Sequence, residues 1–321
     1  MKAIVLTEYG GADQLQLKEV EKPYPGDDEV LVKVFAVSIN DWDWALIQGD
    51  FVNRLLNGFW KPKRRIFGSD IAGRIEAIGK KVTRFKPGDE VFGDLSGTWG
   101  GFAEYVCAHE NAVGRKPPGM TFEQAASIPQ AAMLAVQGLI DEGRVQPGQK
   151  ILINGAGGGV GTFGLQILKA LEVEVTVVDT AAKLDMLRSL GAAHGIDYTH
   201  QDFTKTGKRY DLILDAKTNR SIFSYLRALN PRGKYITVGG SISRLLQALC
   251  CSPLISLFTN KKVSIVALKP NKDLEYMSKL FESGQVRPII DGPYKLEEVP
   301  EAFRIFGKGE HKGKMVITVA G

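Results

Sequence analysis

Five glycines occur within residues 155–161, one residue after the apolar segment Ile151–Ile153. The order Ala156-Gly157-Gly158-Gly159-Val160-Gly161 fits the spacing G-x-G-x-x-G, with alanine in the first place. A strand that ends in glycines and leads into a helix directs several backbone N–H groups, and the positive end of the helix dipole, at one point. Such a point binds an anion, most often a phosphate, although the same residues are also typical of a flexible turn.

The residues after the glycines favour a dinucleotide site over a flexible turn. Their pattern predicts a helix over Thr162–Leu171 and then a buried strand over Glu174–Val178, which ends at Asp179. An acid about twenty residues beyond the glycines is placed to accept hydrogen bonds from a ribose. Helix and strand patterns keep alternating to residue 268, which predicts an α/β domain with a doubly wound parallel (Rossmann) sheet and a bound nicotinamide cofactor. The predicted contacts in the glycine turn are Ala156, Gly158, Gly159 and Val160.

The first part of the chain has a different pattern. Short alternating apolar segments are separated by Pro-Gly-Asp turns at 25–27 and 87–89, which predicts a mostly antiparallel β domain. Proline and glycine cluster at 114–120, before a helix that Thr121 can cap with Gln124. We therefore predict a substrate domain over 1–121, a dinucleotide-binding domain over 122–268 and a return to the first domain over 269–321.

Composition indicates an ordinary globular protein. The 321 residues are 44% hydrophobic and 24% charged, and the formal net charge of +5 allows weak attraction to anions without indicating nucleic-acid binding. Cys107, Cys250 and Cys251 provide no disulfide framework, which favours a reducing cytoplasm. The N-terminal residues are strand-like and lack signal-peptide features, and no apolar segment is long enough to predict a membrane span.

One apolar segment, Ile242–Phe258, contains a single charged residue, Arg244. The segment is typical of a helix or loop that packs over the cofactor site or in a subunit contact. Contact with a membrane surface is the alternative, and Pro253 interrupts the segment.

Several segments together resemble the zinc-free quinone oxidoreductase branch (zeta-crystallin-like) of the medium-chain dehydrogenase/reductase superfamily. The resemblance covers nearly the whole chain and implies a GroES-like β domain beside the Rossmann domain. The segments that carry it include SINDWDW (38–44), FGSDIAGRIEAIGKKVTRFKPGDEVFG (67–93), GGFAEYV (100–106), AASIPQAAMLAVQGL (125–139), INGAGGGVGTFGLQ (153–166), LDMLRSLGAAHGIDY (184–198) and HKGKMVITV (311–319).

The resemblance implies an enzyme that transfers hydride from carbon 4 of NADPH or NADH to a quinone or an α,β-unsaturated carbonyl. An acceptor that is already electron-poor needs alignment more than a Lewis acid. A non-catalytic NADPH-binding sensor or structural protein of the same fold is the alternative, because fold does not determine function. The resemblance also implies a homodimer.

The resemblance assigns site residues as well. Asn40 and Asp43 match family residues that face the nicotinamide or the substrate carbonyl, but both side chains could instead serve the local backbone as an Asx turn. Five aromatic residues could line an acceptor site or pack in a core or lid. These are Trp42, Trp44, Phe51, Phe59 and Trp60. The matches to cofactor contacts on the nicotinamide side are Gln130, Gly239, Gly240, Ala267 and Lys269.

Cofactor choice rests on conflicting residues. Lys183 and Tyr198 match a lysine and a tyrosine that hold the 2′-phosphate of NADPH in the family, whereas the Asp179 carboxylate would repel that phosphate. Thr180 could donate a hydrogen bond to either form of the ribose. Two matches against one favour NADPH, with NADH as the alternative.

The zinc ligands of related alcohol dehydrogenases have no counterparts. Ser38 stands at the early cysteine position, and Gly68-Ser69-Asp70 stands where a Gly-His-Glu stretch would be. The four histidines, His109, His194, His200 and His311, have no ligand spacing. The sequence therefore predicts no metal site, and a zinc alcohol dehydrogenase would require ligands that are not there.

Overall fold

The polypeptide forms two units, which we describe over residues 1–319 in a computed structural model. One unit comprises Met1–Gln130, Pro270–Glu282 and the chain from Arg287 onward, and the other comprises Ala131–Lys269 with Ser283–Val286. Each unit contains its own cluster of buried apolar side chains.

The first 130 residues consist mainly of short strands. The strands are Lys2–Leu6 (β1), Leu15–Glu19 (β2), Glu29–Ser38 (β3), Asp70–Ile78 (β4), Glu90–Asp94 (β5), Tyr105–His109 (β6) and Gly114–Arg115 (β7). The helices are Asp41–Gln48 (α1), Phe51–Asn57 (α2) and Phe122–Ser127 (α3), and a fourth, Pro129–Val136 (α4), leads into the second unit.

Strands and helices alternate in the second unit, after a π-helical turn at Gln137–Glu142. The strands are Lys150–Asn154 (β8), Glu174–Asp179 (β9), His194–Asp197 (β10), Tyr210–Asp215 (β11), Leu229–Thr237 (β12) and Lys262–Ile265 (β13). The helices are Gly159–Lys169 (α5), Ala181–Ser189 (α6), Ile222–Arg227 (α7) and Ile242–Phe258 (α8). The chain then returns to the first unit through Leu274–Glu282 (α9), Ile290–Lys295 (β14), Val299–Lys308 (α10) and Lys314–Thr318 (β15).

The sheet of the first unit is largely antiparallel, with the order β14-β15-β3-β4-β5-β7 and with β6 also paired to β3. Its core side chains include Val32, Val34, Ile71 and Phe303, which are buried. The C-terminal strand β15 runs antiparallel to the end of β3, where Val316 lies opposite Ser38. This register brings Lys314, near the chain end, to the start of α1.

The sheet of the second unit is parallel, with the order β10-β9-β8-β11-β12-β13. Strand order reverses between β8 and β11, and in such sheets ligands bind outside the carboxyl ends of the strands at the reversal. The predicted fold class, a Rossmann sheet with a GroES-like antiparallel β domain, is confirmed.

Several boundaries differ from the sequence prediction. Helix α5 begins at Gly159, three residues before the predicted Thr162, because Gly158 takes the extended N-cap conformation. The first unit extends to Gln130 rather than 121, since α3 packs against β3 and β4. Within residues 1–319, no helix is both long enough and apolar enough to cross a bilayer.

Candidate cofactor and substrate sites

The glycine turn connects β8 to α5 at the carboxyl edge of the parallel sheet. Gly155 has φ of 79°, a value that favours glycine, and Gly158 caps α5. A Cβ at Gly161 would lie 2.3 Å from the Ala156 Cα, so only glycine lets α5 start this close to the strand. The turn therefore directs the free N–H groups of the first helical turn outward at the strand end, which is the arrangement that binds a pyrophosphate.

Asp179 closes one side of the glycine turn from the end of β9. Its Oδ2 accepts a hydrogen bond from the Gly157 N–H at 2.6 Å, and its Oδ1 accepts one from the Thr180 N–H at 2.9 Å. Lys183 Nζ lies 3.7 Å from the same Oδ1, and both side chains are buried. The carboxylate thus holds the turn and its lysine neighbour in place, a role that its position alone did not predict.

The other residues predicted on the adenine side lie around Asp179. Thr180 is the N-cap of α6, and the Tyr198 N–H donates to the Asp179 carbonyl at 3.2 Å. The Tyr198 ring is half exposed, whereas Lys183 is covered and its side-chain methylenes lie against Gly157. The structure brings Thr180, Lys183 and Tyr198 together beside the turn, and their contacts with a cofactor stay predictions.

The glycines after β12 lie at the same edge of the sheet. A Cβ at Gly239 would meet nothing within 4 Å, so the chain leaves open space there, whereas a Cβ at Gly240 would lie 2.2 Å from the Lys217 carbonyl oxygen. Thr218 and Thr237 both donate hydroxyl hydrogen bonds to the Gly239 carbonyl. The two threonine hydroxyl groups therefore hold Gly239 in place, and the side of Gly239 on which a Cβ would lie faces open space.

Gln137, a residue that the sequence analysis missed, fixes the segment after β13. Its Oε1 accepts from the Lys269 N–H at 2.9 Å, and its Nε2 donates to the Lys269 carbonyl at 3.0 Å. Gln137 begins the π-helical turn, and such turns often occur at functional sites. Ala267, two residues before Lys269, is exposed.

Asp215, at the end of β11, was also missed. Its Oδ1 accepts from Asn154 Nδ2 and from the N–H groups of Lys217 and Thr218, and its Oδ2 accepts from the Tyr235 hydroxyl at 2.8 Å. Asp215 therefore joins β8, β11 and β12 where strand order reverses. No residue spacing signals this network, because its members come from separate strands.

In the first unit, Asn40 and Asp43 form a capping box at the start of α1. Asp43 Oδ2 accepts from the Asn40 N–H at 3.0 Å, and its Oδ1 accepts from the Gly68 N–H at 3.1 Å. Asp43 has no exposed surface, and burial raises its pKa to about 7. Backbone N–H groups therefore engage both carboxyl oxygens of Asp43, as in the alternative drawn from the sequence, and its contact with the nicotinamide or the substrate carbonyl stays a prediction.

The Asn40 side chain belongs to a buried polar cluster, which we call the Lys314 cluster and which comprises Ser38, Asn40, Ser69, Asp70 and Lys314. Lys314 Nζ donates to Asn40 Oδ1, to the Ile39 carbonyl at 3.0 Å and to Asp70 Oδ2 at 3.3 Å. The Asn40 amide nitrogen then donates to Ser69 Oγ at 3.2 Å. Because Lys314 engages the amide oxygen, it determines which way the Asn40 carboxamide is oriented.

A further carboxyl group, that of Asp94, lies beside this cluster. Asp94 lies directly opposite Asp70 on the neighbouring strand, and burial raises the pKa of Asp94 to about 6, with a further contribution from the Asp70 charge. Burial also raises the pKa of Asp70, against the opposing effect of Lys314. Asp94 Oδ1 accepts two hydrogen bonds from Ser96, while its Oδ2 is buried and accepts none.

The predicted contact of Gln130 with the nicotinamide side of the cofactor stays a prediction. Gln130 lies in the first turn of α4, the helix that leads into the second unit, and is grouped with the first unit. Its N–H donates to the Asp70 carboxylate at 3.1 Å, and its side chain donates to Ser96 Oγ at 3.4 Å. The backbone of Gln130 thus supports the Lys314 cluster, because the N terminus of α4 is aimed at Asp70.

The aromatic residues of 42–60 divide into two groups. Trp44 packs against Phe303 and Phe306 at the edge of the hydrophobic core, which agrees with the alternative that these residues pack in a core or lid. Phe51, Phe59 and Trp60 make consecutive edge-to-face contacts, with centroids 6.3 and 5.2 Å apart, and all three are exposed. Trp42 is exposed as well.

The donor set does not suit zinc. Among residues 1–319, no three His, Cys, Asp or Glu side chains are grouped so that they could hold a metal ion. At the two positions where alcohol dehydrogenases have ligands, Ser38 Oγ donates to the Ala126 carbonyl at 2.8 Å and Ser69 Oγ accepts from Asn40. The nearby carboxylate, Asp70, is already paired with an ammonium group.

Comparisons with known proteins match both units. Residues 26–118 match the family described as "Alcohol dehydrogenase GroES-like domain", and residues 190–317 match "Zinc-binding dehydrogenase". The chain is 32% identical to the 2-methylene-furan-3-one reductase of Solanum lycopersicum, and the match covers 99% of this chain and 79% of that protein. It is 31% identical to the chloroplastic NADPH-dependent alkenal/one oxidoreductase of Arabidopsis thaliana, with the same coverage.

The fold comparison agrees with these relatives. The solved structure of the quinone oxidoreductase from Coxiella burnetii superposes with a TM-score of 0.88 at 26% identity, covering 100% of this chain and 99% of that one. The chain therefore belongs to the medium-chain dehydrogenase/reductase superfamily, fits its zeta-crystallin-like quinone oxidoreductase branch and is an oxidoreductase enzyme.

Proposed function

We propose that this enzyme uses NADPH to reduce quinones or α,β-unsaturated carbonyls without a metal ion. The observation that carries the proposal is the Lys314 cluster, in which hydroxyl, amide and ammonium groups take the place of metal ligands. The names of the relatives support the acceptor class, since one is an alkenal/one oxidoreductase, one a furanone reductase and one a quinone oxidoreductase.

The glycine turn supports the dinucleotide. The open N–H groups at the start of α5 suit a pyrophosphate, and the free face of Gly239 suits a flat group laid against the backbone. Lys183, whose ammonium group now lies beside the Asp179 carboxylate, would pair with the 2′-phosphate instead and neutralise part of its charge. A bound NADPH supplies hydride, while the chain supplies binding, orientation and exclusion of water.

Charge supports the metal-free part of the proposal. The Lys314 ammonium lies within hydrogen-bond distance of Asn40 and Asp70, so a divalent cation at these groups would meet an existing positive charge at close range in a poorly solvated interior. Reduction of an electron-poor carbon does not require the polarisation that oxidation of an alcohol requires. The cluster therefore suits an enone or quinone better than a simple alcohol.

The exposed aromatic residues support a flat acceptor. Phe51, Phe59 and Trp60 present ring faces and edges that the protein itself leaves uncovered. Aromatic pairs of this kind contribute about 0.5–1.5 kcal/mol beyond their buried area, which is enough to favour a quinone over an aliphatic ketone.

The test follows the absorbance of NADPH and of NADH in parallel assays. The hydride acceptors are a simple quinone, an enone and a saturated aldehyde, each with and without a chelator. The proposal expects oxidation of NADPH by the quinone or the enone at a rate that the chelator leaves unchanged. Tight NADPH binding without turnover of either acceptor would instead identify the non-catalytic sensor. A rate that falls with the chelator and returns with zinc would contradict the metal-free proposal.

The oligomeric state and the location of the enzyme are two further predictions. A homodimer and a cytoplasmic location stay predictions, which sedimentation and localisation of the tagged chain would test.

A further inference from the structure

Asp94, at the end of β5, keeps one carboxyl oxygen without a partner. Only 2% of its surface is exposed, and its Oδ1 accepts from the Ser96 N–H at 2.8 Å and from the Ser96 hydroxyl. Its Oδ2 is buried and has no hydrogen-bond partner among residues 1–319. In Asp43 and Asp215, by contrast, both oxygens accept hydrogen bonds. Because a buried polar atom without a partner is costly, the local fold alone does not explain a carboxyl at this position.

The Ser96 hydroxyl connects this buried carboxyl to the protein surface. Ser96 is exposed, and its Oγ also accepts a hydrogen bond from Gln130 Nε2 at 3.4 Å. A hydroxyl has one hydrogen and two lone pairs. With Gln130 on one lone pair, a protonated Asp94 donates to the other, which releases the Ser96 hydrogen for a group outside the protein. The protonation state of Asp94 therefore decides where Ser96 donates.

Asp94 and Ser96 lie beside the Lys314 cluster, on which the proposed function rests. Asp94 stands directly opposite Asp70 on the neighbouring strand. Gln130 connects the two features, because its N–H donates to the Asp70 carboxylate at 3.1 Å and its side chain donates to Ser96. All of these residues belong to the first unit.

Asn271 fixes the backbone of Asp94. Its Oδ1 accepts from the Asp94 N–H at 2.7 Å, and its Nδ2 donates to the Asp94 carbonyl at 2.9 Å. Asn271 has φ of 62°, in the left-handed region where asparagine is enriched among non-glycine residues. With both backbone groups of Asp94 held, its carboxyl stays aimed at Ser96, which is the preorganisation that proton transfer requires.

The charged groups that face Asp94 are the Asp70 carboxylate on β4 and the Lys314 ammonium on β15. Burial raises the pKa of Asp94 to about 6, and Asp70 adds to this rise, whereas Lys314 lowers the pKa. A general acid is most effective when its pKa lies near the pH of the reaction. Asp94 can therefore hold a proton and release it near neutral pH.

We propose that Asp94, acting through the Ser96 hydroxyl, supplies the proton that completes the reduction of an enone. The inference rests on the proposed function and specifies its proton donor. Hydride addition to the β-carbon leaves an enolate. The Ser96 O–H bond then breaks as a C–H bond forms at the α-carbon, and the Asp94 proton moves to Ser96 Oγ. After the product leaves, the Asp94 carboxylate takes its next proton from water through Ser96.

The test compares the parent with Asp94→Asn and Ser96→Ala, using an enone that carries a methyl group on its α-carbon and a simple quinone. Asparagine keeps an acceptor for Ser96 but holds no acidic proton. Both variants should lower kcat with the enone by at least about 100-fold, the lower range for a general acid. The ratio of enone to quinone turnover should fall as well, because hydroquinone oxygens take protons from water without the enzyme.

Three further readouts separate proton donation from a structural role. With the enone, kcat of the parent should be constant below about pH 6 and fall about tenfold per pH unit above it, whereas the residual rate of Asp94→Asn should not. In deuterium oxide the parent should give one configuration at the α-carbon and Asp94→Asn both, since water then reaches either face. Ser96→Thr keeps a hydroxyl and should restore most of the rate.

Matched controls lie in the same unit. Thr98→Val removes an exposed hydroxyl two residues from Ser96, and Asp28→Asn changes an exposed carboxyl. Both should react like the parent, and NADPH titration should give the same affinity for every variant. An Asp94→Asn variant that keeps the enone rate and a single configuration, or that loses enone and quinone turnover equally, overturns the inference. So does a parent that reduces the quinone alone. A parent that oxidises NADPH with neither acceptor contradicts the proposed function itself.

Discussion

Lys314 and Asp70 form an ion pair inside the first unit, with Nζ 3.3 Å from Oδ2 and almost no exposed surface on either side chain. A buried ion pair gains little over an apolar pair, but removal of one partner leaves an uncompensated charge. The pair also engages Asn40 through its amide oxygen. The orientation of Asn40 therefore depends on a residue near the other end of the chain.

Replacement of Lys314 by methionine should lower the free energy of unfolding by about 3–5 kcal/mol, because Asp70 would keep a buried charge without its partner. The double variant Lys314→Met/Asp70→Asn should recover much of this loss, since it removes both charges. Urea denaturation of the parent, both single variants and the double variant measures the coupling. Losses that simply add would show that the two groups do not stabilise each other.

Asp94 should make stability depend on pH. Its folded pKa of about 6 lies above the ordinary aspartate value of 3.8, so its contribution to stability is complete below about pH 4 and is lost as the pH rises through 6. Asp94→Asn removes this titration while keeping an acceptor for Ser96. Relative to the parent, the variant's free energy of unfolding should rise by about 2 kcal/mol between about pH 4 and pH 7.

Urea denaturation across this pH range measures that difference. The control is Asp41→Asn, a change at an exposed carboxyl that leaves Asp94 in place, so its curve should run parallel to that of the parent. A parallel pair of curves for the parent and Asp94→Asn would mean that Asp94 ionises normally.

Two glycine-to-alanine changes separate packing from cofactor contact. Gly161→Ala should lower the free energy of unfolding by about 1–3 kcal/mol, because the new Cβ meets the Ala156 Cα at 2.3 Å. Gly239→Ala should leave stability nearly unchanged, since no protein atom lies within 4 Å of the new Cβ. Thermal unfolding and NADPH titration of both variants provide the comparison. A Gly239→Ala variant that binds NADPH like the parent would place the nicotinamide half elsewhere.

Lys183 and Asp179 should determine cofactor choice in opposite directions. Lys183→Met keeps the methylenes against Gly157 but removes the charge, so the KM for NADPH should rise about 10- to 100-fold while that for NADH changes little. Asp179→Asn should shift the preference towards NADPH, because it removes the charge that competes for Lys183. Initial rates with both cofactors measure the two ratios. Equal losses for NADPH and NADH would show that Lys183 supports only the turn.

The sequence was sufficient for the features that neighbouring residues determine. The β-branched segment of β9, the glycines before α5 and the Thr121 cap of α3 are local signals, and each forms the predicted element. Their alternation was also enough to predict a parallel sheet, because parallel strands require helical connections.

The buried polar networks could not be predicted in the same way. Lys314 meets Asn40 across 274 residues and Gln137 meets Lys269 across 132, so no local pattern records either contact. Asp43 could not be predicted for a related reason. A motif shared with a family places the residue near the site, but it does not show whether the side chain is exposed or buried. In this chain the backbone uses that carboxyl.

The most direct test of the central claim follows deuterium from NADPH labelled at carbon 4 into an enone, in the presence of a chelator. We expect deuterium on the β-carbon of a saturated ketone, with the carbonyl retained. Deuterium on the carbonyl carbon of an alcohol, or a reaction that stops when metal is removed, would contradict it.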